Sequence, residues 1–138
     1  MSTEPGPALR GAASETAILI TVALTTMLAP LNSTMIGVAL PGIMGEFATD
    51  LETGSWLVTA YLISMASLQP VCGKLGDRFG RRPLILAGLV YFGVASIGAA
   101  TASSLAELLI FRIQQGIAGA LALPNGMALV RETVPAVR

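Results

Sequence analysis

The sequence predicts an all-α integral membrane protein, built as a helical bundle of four transmembrane helices. Three observations carry this prediction: charged residues are scarce, four apolar segments are long, and the basic residues outside these segments all fall on one side of a chain that crosses four times. Hydrophobic residues make up 54% of the 138 residues and charged residues only 12%, whereas a soluble domain has about a quarter charged residues. Too few polar side chains remain to cover a surface in water.

The four apolar segments are each long enough to cross a membrane. Three contain no charged residue and run over residues 16–45, 53–73 and 83–106. The fourth, residues 105–130, is interrupted only by Glu107 and Arg112. A bilayer core takes roughly 20 helical residues, and the backbone in lipid must satisfy its own hydrogen bonds. We therefore predict helices at about residues 17–41, 55–73, 84–102 and 105–130.

The segment before the first span, residues 1–15, has no apolar period. It contains Pro5, Pro7 and Gly11, which predicts a disordered cytoplasmic tail; residues 16–138 then form the membrane domain. A cleaved signal peptide is the alternative interpretation of this end. It requires a strongly basic start and a shorter apolar stretch, whereas Arg10 is the only early basic residue.

The distribution of basic residues predicts the orientation, because cytoplasmic loops are enriched in Lys and Arg. A chain that crosses four times places these residues on one side: Arg10, Lys74, Arg78, Arg81, Arg82, Arg131 and Arg138. The opposite connections, near residues 46–52 and 101–104, contain no basic residue. We therefore expect a multi-pass protein of the inner or plasma membrane with both ends in the cytoplasm.

Small residues at helical spacing indicate close helix packing. Such residues let helix backbones approach each other in lipid. In the third and fourth predicted helices they are Ala95, Ala99, Ser103, Gly116 and Ala120. This pattern favours a packed bundle over a single inert anchor.

The connection between the second and third spans contains a motif. It reads Gly73-Lys74-Leu75-Gly76-Asp77-Arg78-Phe79-Gly80-Arg81-Arg82. Its glycines permit a tight reversal, and Asp77 and Arg81 can pair if the turn is helical. On composition alone the segment could be an anchor that only sets topology. Its order, however, matches every defined position of G-x-L-x-D-R-x-G-R-[KR], and so resembles the cytoplasmic loop of the major facilitator superfamily.

Three further stretches support this resemblance. Residues 31–41 are similar to the L-D-x-T-I-V-N-V-A-L-P motif of the drug:proton antiporters with fourteen helices, and residues 56–62 to the start of their second helix. Residues 112–120 resemble their R-x-x-Q-G-x-g-a motif. The resemblance implies helices 1–4 of a major facilitator fold and proton-coupled efflux of small amphipathic molecules or drugs. It also implies a cytoplasmic gate made by Gly73, Gly76, Asp77, Arg78, Gly80, Arg81 and Arg82.

Arg112 is the one basic residue inside a predicted span. It follows Leu105 by seven residues, which places it about 10 Å below the outer end of the helix. A charge at mid-bilayer costs about 2.5–3.5 kcal/mol on insertion scales. Arg112 either snorkels outward, with Glu107 as a partner, or faces a polar cavity. The resemblance implies the cavity, where this arginine tunes a carboxylate that carries the proton.

Asn32 and Gly37 depart from the family pattern, which has aspartate and asparagine at these positions. Asn32 lies about 13 Å below the same outer surface, at a depth similar to that of Arg112, and the two helices are counterparts in the family's inverted repeats. We therefore hypothesise that Asn32 hydrogen-bonds Arg112 or substrate; an interhelical hydrogen bond alone is the equal alternative. Thr34 and Gln115 are weaker candidates for the cavity lining.

Several classes of function are excluded or disfavoured. With no histidine, one cysteine (Cys72) and zero net charge, the sequence gives no basis for a His-based triad, an intrachain disulfide or nucleic acid binding. We predict no enzyme activity, metal or cofactor. The expected partners are the lipid bilayer, a small-molecule substrate and, in the intact transporter, protons.

The resemblance also implies missing C-terminal helices, because Arg138 falls where the loop to a fifth helix should run. The chain is then a fragment of a longer permease. Two alternatives remain: a truncated membrane subunit that does not transport, and a small oligomeric four-helix exporter. The second would resemble the small multidrug resistance family, which needs a glutamate in helix one, whereas residues 16–45 contain no carboxylate.

Overall fold

The computed structural model describes residues 7–133, with side chains for residues 16–17, 19–27 and 30–132. The described chain forms four helices: α1 Pro7–Glu46, α2 Leu51–Phe79, α3 Arg81–Ala100 and α4 Leu105–Thr133. Each contains a segment long and apolar enough to cross a membrane. The predicted fold class, an all-α membrane bundle, is confirmed.

The first helix begins earlier than the sequence predicts. It starts at Pro7, so residues 7–15 are helical where a disordered tail is expected; residues 1–6 lie outside the described part. Proline is pre-organised for the first helical position, and Ala8 and Ala12 are strong helix formers. At 40 residues, α1 is about 60 Å long, which is longer than a bilayer core is thick.

The central element of the bundle is α4. It packs along both α2 and α3, and it also receives the main contacts of α1. In α4, 44% of the apolar segment is buried, whereas only 17–19% of the corresponding segment is buried in each of the other helices. By contrast, α1 and α3 keep large apolar side chains exposed, among them Val38, Val90 and Ile97. Such faces suit lipid or further helices rather than water.

Small residues set the closest helix contacts. A Cβ added at Gly116 would lie 2.6 Å from the Tyr61 carbonyl oxygen of α2, and one at Gly88 would lie 2.9 Å from the Ala118 carbonyl oxygen of α4. Ala95 and Ala120 are fully buried. The prediction of close packing is therefore confirmed for Gly116, Ala95 and Ala120. Ser103 differs, because α3 ends at Ala100 and Ser103 is exposed in the following connection.

The start of α2 is fixed by an N-cap. The Asp50 Oδ1 atom accepts a hydrogen bond from the Thr53 backbone N–H at 3.0 Å, which satisfies one of the free donors of the first turn. Hydrogen bonding by Thr53 lowers the pKa of Asp50 below its ordinary value of 3.8. Because the folded pKa is the lower one, the cap stabilises the helix above the unfolded pKa and is lost as pH falls through the folded pKa.

Replacing Asp50 is expected to fray the first turn of α2. In Asp50→Ala the Thr53 amide loses its acceptor, so amide hydrogen exchange at Thr53 should accelerate at neutral pH. Asp50→Asn is the matched control, since asparagine caps about as well but does not titrate. In Asp50→Asn, amide exchange at Thr53 should stay slow. It should not show the opening of the first turn that acid causes in the parent. Equal exchange at Thr53 in the parent and Asp50→Ala would contradict this assignment.

Candidate functional site

A buried hydrogen bond joins α1 to α4 inside the bundle. The Arg112 Nη1 atom donates to the Asn32 Oδ1 atom at 2.7 Å, and only 7% of the Arg112 side chain is exposed. Glu107 does not pair with it; its Oε2 atom accepts from the N–H and hydroxyl of Ser103 at 2.8 and 3.0 Å. Arg112 therefore faces the interior of the bundle and does not snorkel to the outer surface.

A second hydrogen bond, between Gln115 and Ser96, joins α4 to α3. The Gln115 Nε2 atom donates to the Ser96 hydroxyl at 2.9 Å, and that hydroxyl donates to the Phe92 carbonyl oxygen at 2.8 Å. Gln115 is only 3% exposed. It shares a helix face with Arg112 because the two are three positions apart. Ser96 was missed in the sequence, although a hydroxyl within an apolar span was an available signal.

Tyr61 of α2 lies beside these polar residues. Its side chain is buried and lies close enough to interact with both Asn32 and Arg112. The polar cluster is therefore formed by Asn32, Tyr61, Ser96, Arg112 and Gln115, with at least one residue from each helix. Tyr61 was missed in the sequence because an aromatic residue inside an apolar span fits apolar packing equally well.

The polar cluster borders a cleft of about 470 Å³ between α1, α3 and α4. This volume lies in the range of small-molecule sites, about 300–1,000 Å³. Four cluster members line it: Asn32, Ser96, Arg112 and Gln115. Its remaining walls are apolar: Leu31, Met35, Ile36, Ala39, Ile43, Phe92, Ala99, Ala100 and Leu108. The cleft thus combines a polar end with apolar sides.

Thr34, the other predicted lining residue, lies outside this cleft. Its side chain is exposed, and its hydroxyl donates to the Pro30 carbonyl oxygen at 2.9 Å. Two helical positions separate it from Asn32, a rotation of about 200°. Thr34 therefore does not line this cleft, because one helix cannot turn both residues toward it; its place in the cavity of an intact transporter stays a prediction.

Three buried polar atoms at the cleft have no hydrogen-bond partner among the described residues. They are Asn32 Nδ2, Arg112 Nε and Gln115 Oε1. Leaving such a group unsatisfied costs about 1–3 kcal/mol, and natural structures keep few of them. These two donors and one acceptor are enclosed by the surrounding side chains, so they mark a polar centre inside the bundle rather than a surface of the cleft.

The predicted gating loop is mostly helical. Residues 73–79 form the last turns of α2 and residues 81–82 the first turn of α3, so only Gly80 lies between the helices. Gly80 has φ +95°, a conformation that favours glycine, and its N–H donates to the Gly76 carbonyl oxygen at 2.9 Å. The loop is therefore a one-residue corner, because the α2 hydrogen-bond ladder continues up to Gly80.

An ion network crosses this corner. The Arg81 Nη2 atom lies 2.7 Å from Asp77 Oδ1, the pairing that the spacing of the two residues allowed. The Arg81 Nε atom lies 2.8 Å from Glu132 Oε1, near the end of α4. Glu132 was missed in the sequence because it lies 51 positions from Arg81. Arg78 and Arg82 are exposed, with the Arg78 guanidinium 5.7 Å from the Phe79 ring centre.

Gly76 contacts a buried asparagine of α4. The Asn125 Nδ2 atom donates to the Cys72 carbonyl oxygen at 3.1 Å and to the Leu121 carbonyl oxygen at 2.7 Å. A Cβ at Gly76 would overlap the Asn125 side-chain oxygen. Gly76 is therefore required for helix contact, whereas the sequence interpretation assigned it to chain reversal. Asn125 was also missed, although an amide inside an apolar span is a signal of interhelical bonding.

Comparison with known proteins agrees with this architecture. The sequence profile of the Major Facilitator Superfamily matches residues 22–138. The uncharacterized MFS-type transporter YvkA of Bacillus subtilis is 42% identical over 120 residues, covering 87% of this chain and 27% of the relative. The Tetracenomycin C resistance and export protein of Streptomyces glaucescens is 37% identical over 131 residues, covering 95% and 24%.

A third relative is the multidrug transporter protein MdtP of Bacillus subtilis, 37% identical over 121 residues that cover 87% of this chain and 22% of the relative. The chain thus spans about a quarter of the length of these curated relatives. The profile match covers three of the helices completely and most of α1. Together with four helices apolar enough to cross a membrane, it shows that the chain is a multi-pass membrane protein and belongs to the major facilitator superfamily of transporters.

Proposed function

We propose that the chain forms the first four helices of an exporter that moves small amphipathic molecules out of the cell in exchange for protons. The observation that carries this proposal is the cleft, with a buried arginine held by Asn32 at its polar end. The names of two relatives support export: one is a resistance and export protein and the other a multidrug transporter. In the orientation set by the basic residues, both chain ends face the cytoplasm.

The cleft is suited to bind the transported molecule. Its apolar walls can bury the body of an amphipathic molecule, and the polar side chains that line it, Arg112 and Gln115 among them, can orient its polar group. Small-molecule sites generally combine an apolar lining with a few placed polar groups.

Proton coupling requires a group that titrates, and the cleft offers none among its described lining residues. Asn32 does not titrate, and the described carboxylates lie elsewhere: Glu46, Asp50, Glu52, Asp77, Glu107 and Glu132. The proposal therefore assigns the proton to a carboxylate on helices beyond α4. Alternating access needs the same helices, because two bundles must move against each other around one site.

The corner between α2 and α3 is proposed as part of the cytoplasmic gate. Arg81 joins α3 to Asp77 of α2 and to Glu132 of α4, so the ends of three helices are linked and would move together. Arg78 and Arg82 remain exposed beside this network. Their charges are available to lipid headgroups or to acidic groups on an opposing bundle.

The test expresses the whole reading frame that encodes this chain, through to its stop codon, in a bacterium lacking its major efflux pumps. We expect energised cells to extrude an amphipathic fluorescent dye, and a protonophore to stop the extrusion. Arg112→Gln should lower the initial rate by about tenfold or more, since hydrogen bonds to charged groups contribute about 1.5–3 kcal/mol. Arg131→Gln is the matched control, because it removes the same charge from the exposed end of α4.

Two outcomes would contradict the proposal. One is a protein that is present in the membrane but extrudes no amphipathic dye, which would favour a subunit that does not transport. The other is an Arg112→Gln variant that extrudes dye as fast as Arg131→Gln. Extrusion that persists with the protonophore would refute proton coupling while leaving export intact.

A further inference from the structure

We propose that Tyr61 is a positioning residue for Arg112: it holds the Asn32 side chain in place, and Asn32 in turn holds the arginine inside the bundle. This inference rests on the proposed function, since Arg112 lies at the polar end of the proposed binding cleft. It is argued from the enclosure of Tyr61, from the glycines that let it lie against α4, and from its place beside Asn32.

Tyr61 is enclosed at the centre of the bundle. Only 2% of it is exposed, and it borders a small apolar space whose other walls come from α1, α3 and α4, with Thr25, Phe92 and Leu123 among them. Each of these walls belongs to a described helix, so the enclosure does not depend on any part of the protein beyond α4. A ring packed in this way keeps one orientation, which holds its hydroxyl at a fixed place.

Two glycines of α4 make room for Tyr61. A Cβ added at Gly116 would lie 2.6 Å from the Tyr61 carbonyl oxygen, and one at Gly119 would lie 3.7 Å from its hydroxyl oxygen. The two glycines are three positions apart and so share a helix face. The backbone and the hydroxyl of Tyr61 therefore both lie against this face, which fixes the hydroxyl relative to the helix that carries Arg112.

The Asn32 side chain contacts both Arg112 and Tyr61. Its Oδ1 atom accepts from Arg112 Nη1 at 2.7 Å, and the Tyr61 hydroxyl lies beside the same amide. The Asn32 Nδ2 atom makes no hydrogen bond of normal geometry among the described residues, so Tyr61 acts here by close approach of an acceptor to a donor. Because the Tyr61 hydroxyl occupies the space toward α2, the amide cannot swing that way and leave Arg112.

Arg112 depends on this support because its inward orientation is unfavourable in a membrane span. Long basic side chains in a span otherwise reach toward the interface, and Arg112 lies about 10 Å below the outer end of α4. Within the described part of the chain, its guanidinium is held by the hydrogen bond to Asn32. Loss of that bond would free the guanidinium to turn outward, and the polar end of the cleft would lose its arginine.

The hydrogen on Arg112 Nε reports this orientation without any transport measurement. The Nε atom is enclosed, so its hydrogen should exchange with water slowly, whereas the exposed side chains of Arg78 and Arg82 should exchange fast. The measurement is NMR of the purified product of the whole reading frame, grown with isotope-labelled arginine. The Arg112 signal is the one that disappears in Arg112→Gln.

Tyr61→Phe removes only the hydroxyl. Exchange of the Arg112 Nε hydrogen should become about threefold faster or more, the size expected for the loss of one neutral polar contact. Tyr91→Phe is the matched control, because it makes the same change at a half-buried tyrosine of α3 that lies outside the polar cluster and the cleft. Exchange at Arg112 in this control should equal that of the parent.

A double variant tests whether Tyr61 acts through Asn32. Exchange at Arg112 should be fast in Asn32→Ala, and adding Tyr61→Phe should change it no further, since residues that act on one contact are not additive. If Tyr61→Phe does not fold, as judged by size-exclusion chromatography, Gly119→Val displaces the hydroxyl from the α4 side. Gly119→Ala is its control, because its Cβ would meet the hydroxyl at an ordinary 3.7 Å and the flexible end of Met65 at 3.2 Å.

The possible outcomes separate the two proposals. Unchanged Arg112 exchange in Tyr61→Phe, additive effects in the double variant, or equal acceleration at enclosed backbone amides throughout the bundle would overturn the positioning role. In cells, Tyr61→Phe should lower the maximal rate of dye extrusion about threefold, and Tyr91→Phe should not. Faster Arg112 exchange in Tyr61→Phe, with no dye extrusion by the parent, would support the positioning role and refute the exporter. Extrusion by the parent with unchanged exchange in Tyr61→Phe would do the reverse.

Discussion

Gly76→Ala is expected to destabilise the bundle more than any other single methyl added to its helices. The new Cβ would overlap the Asn125 side-chain oxygen and lie 2.6 Å from its Cγ atom. Asn125 is fully buried and is held by its hydrogen bonds to the Cys72 and Leu121 carbonyl oxygens. It cannot turn away without losing them, so α2 and α4 must separate.

The expected loss at Gly76 is about 3 kcal/mol, the upper end of ordinary overpacking. This loss outweighs the gain of roughly 0.5–1 kcal/mol that alanine normally gives over glycine inside a helix. The measurement is thermal unfolding of the purified protein in detergent. Gly73→Ala is the matched control one turn earlier in α2, because its Cβ would meet only Pro124 at 3.9 Å and should leave the midpoint unchanged or slightly higher.

A second substitution identifies Asn125 as the cause. In the Gly76→Ala background, Asn125→Ala removes the atoms that clash, so part of the lost stability should return. Two substitutions in contact are expected to show such coupling, whereas independent ones add. Equal unfolding midpoints for Gly76→Ala and Gly73→Ala, or simple additivity in the double variant, would contradict the contact.

Gly116→Ala is expected to have the second largest effect, by separating α4 from α2 near the polar cluster. The added Cβ would lie 2.6 Å from the Tyr61 carbonyl oxygen and 3.2 Å from the Met65 nitrogen. Both are backbone atoms, so no side-chain rotation relieves the contact. We expect a loss of about 2 kcal/mol, together with weaker dye binding, because Arg112 and Gln115 lie on the same stretch of α4.

Gly126→Ala is the control for this substitution. It lies further along α4, and its Cβ would meet only the Val22 methyl groups at 3.5 and 3.8 Å, which is ordinary packing. Its unfolding midpoint and dye affinity should match those of the parent. If Gly116→Ala unfolds at the same temperature as Gly126→Ala, the close crossing of α2 and α4 at Tyr61 is refuted.

The sequence was sufficient to predict the fold class and the approximate spans. Long charge-free segments have one stable form in a bilayer, a helix, so the number of helices follows from counting these segments. The ends of the helices were less well predicted. The structure starts α1 at Pro7 and continues α2 to Phe79, because helices persist beyond the apolar segment wherever local propensity and hydrogen bonding permit.

The candidate site was predictable only in part. Arg112 stood out because a charge inside a span is unfavourable unless it has a partner, and Asn32 because of its similar depth. Ser96, Asn125 and Glu132 did not stand out, since hydroxyls and amides are common in membrane helices and a carboxylate near a helix end is ordinary. Their importance depends on neighbours in other helices.

By itself, the sequence determined which segments span the membrane, how its basic residues are distributed, and which residue types meet at the corner between α2 and α3. These properties are local, since they depend on length, composition and spacing along the chain. Only the tertiary structure decided that Arg112 bonds Asn32 rather than Glu107, that Thr34 lies outside the cleft, and that Gly76 contacts Asn125. Helix rotation and crossing set those contacts, and they depend on the packing of all four helices at once.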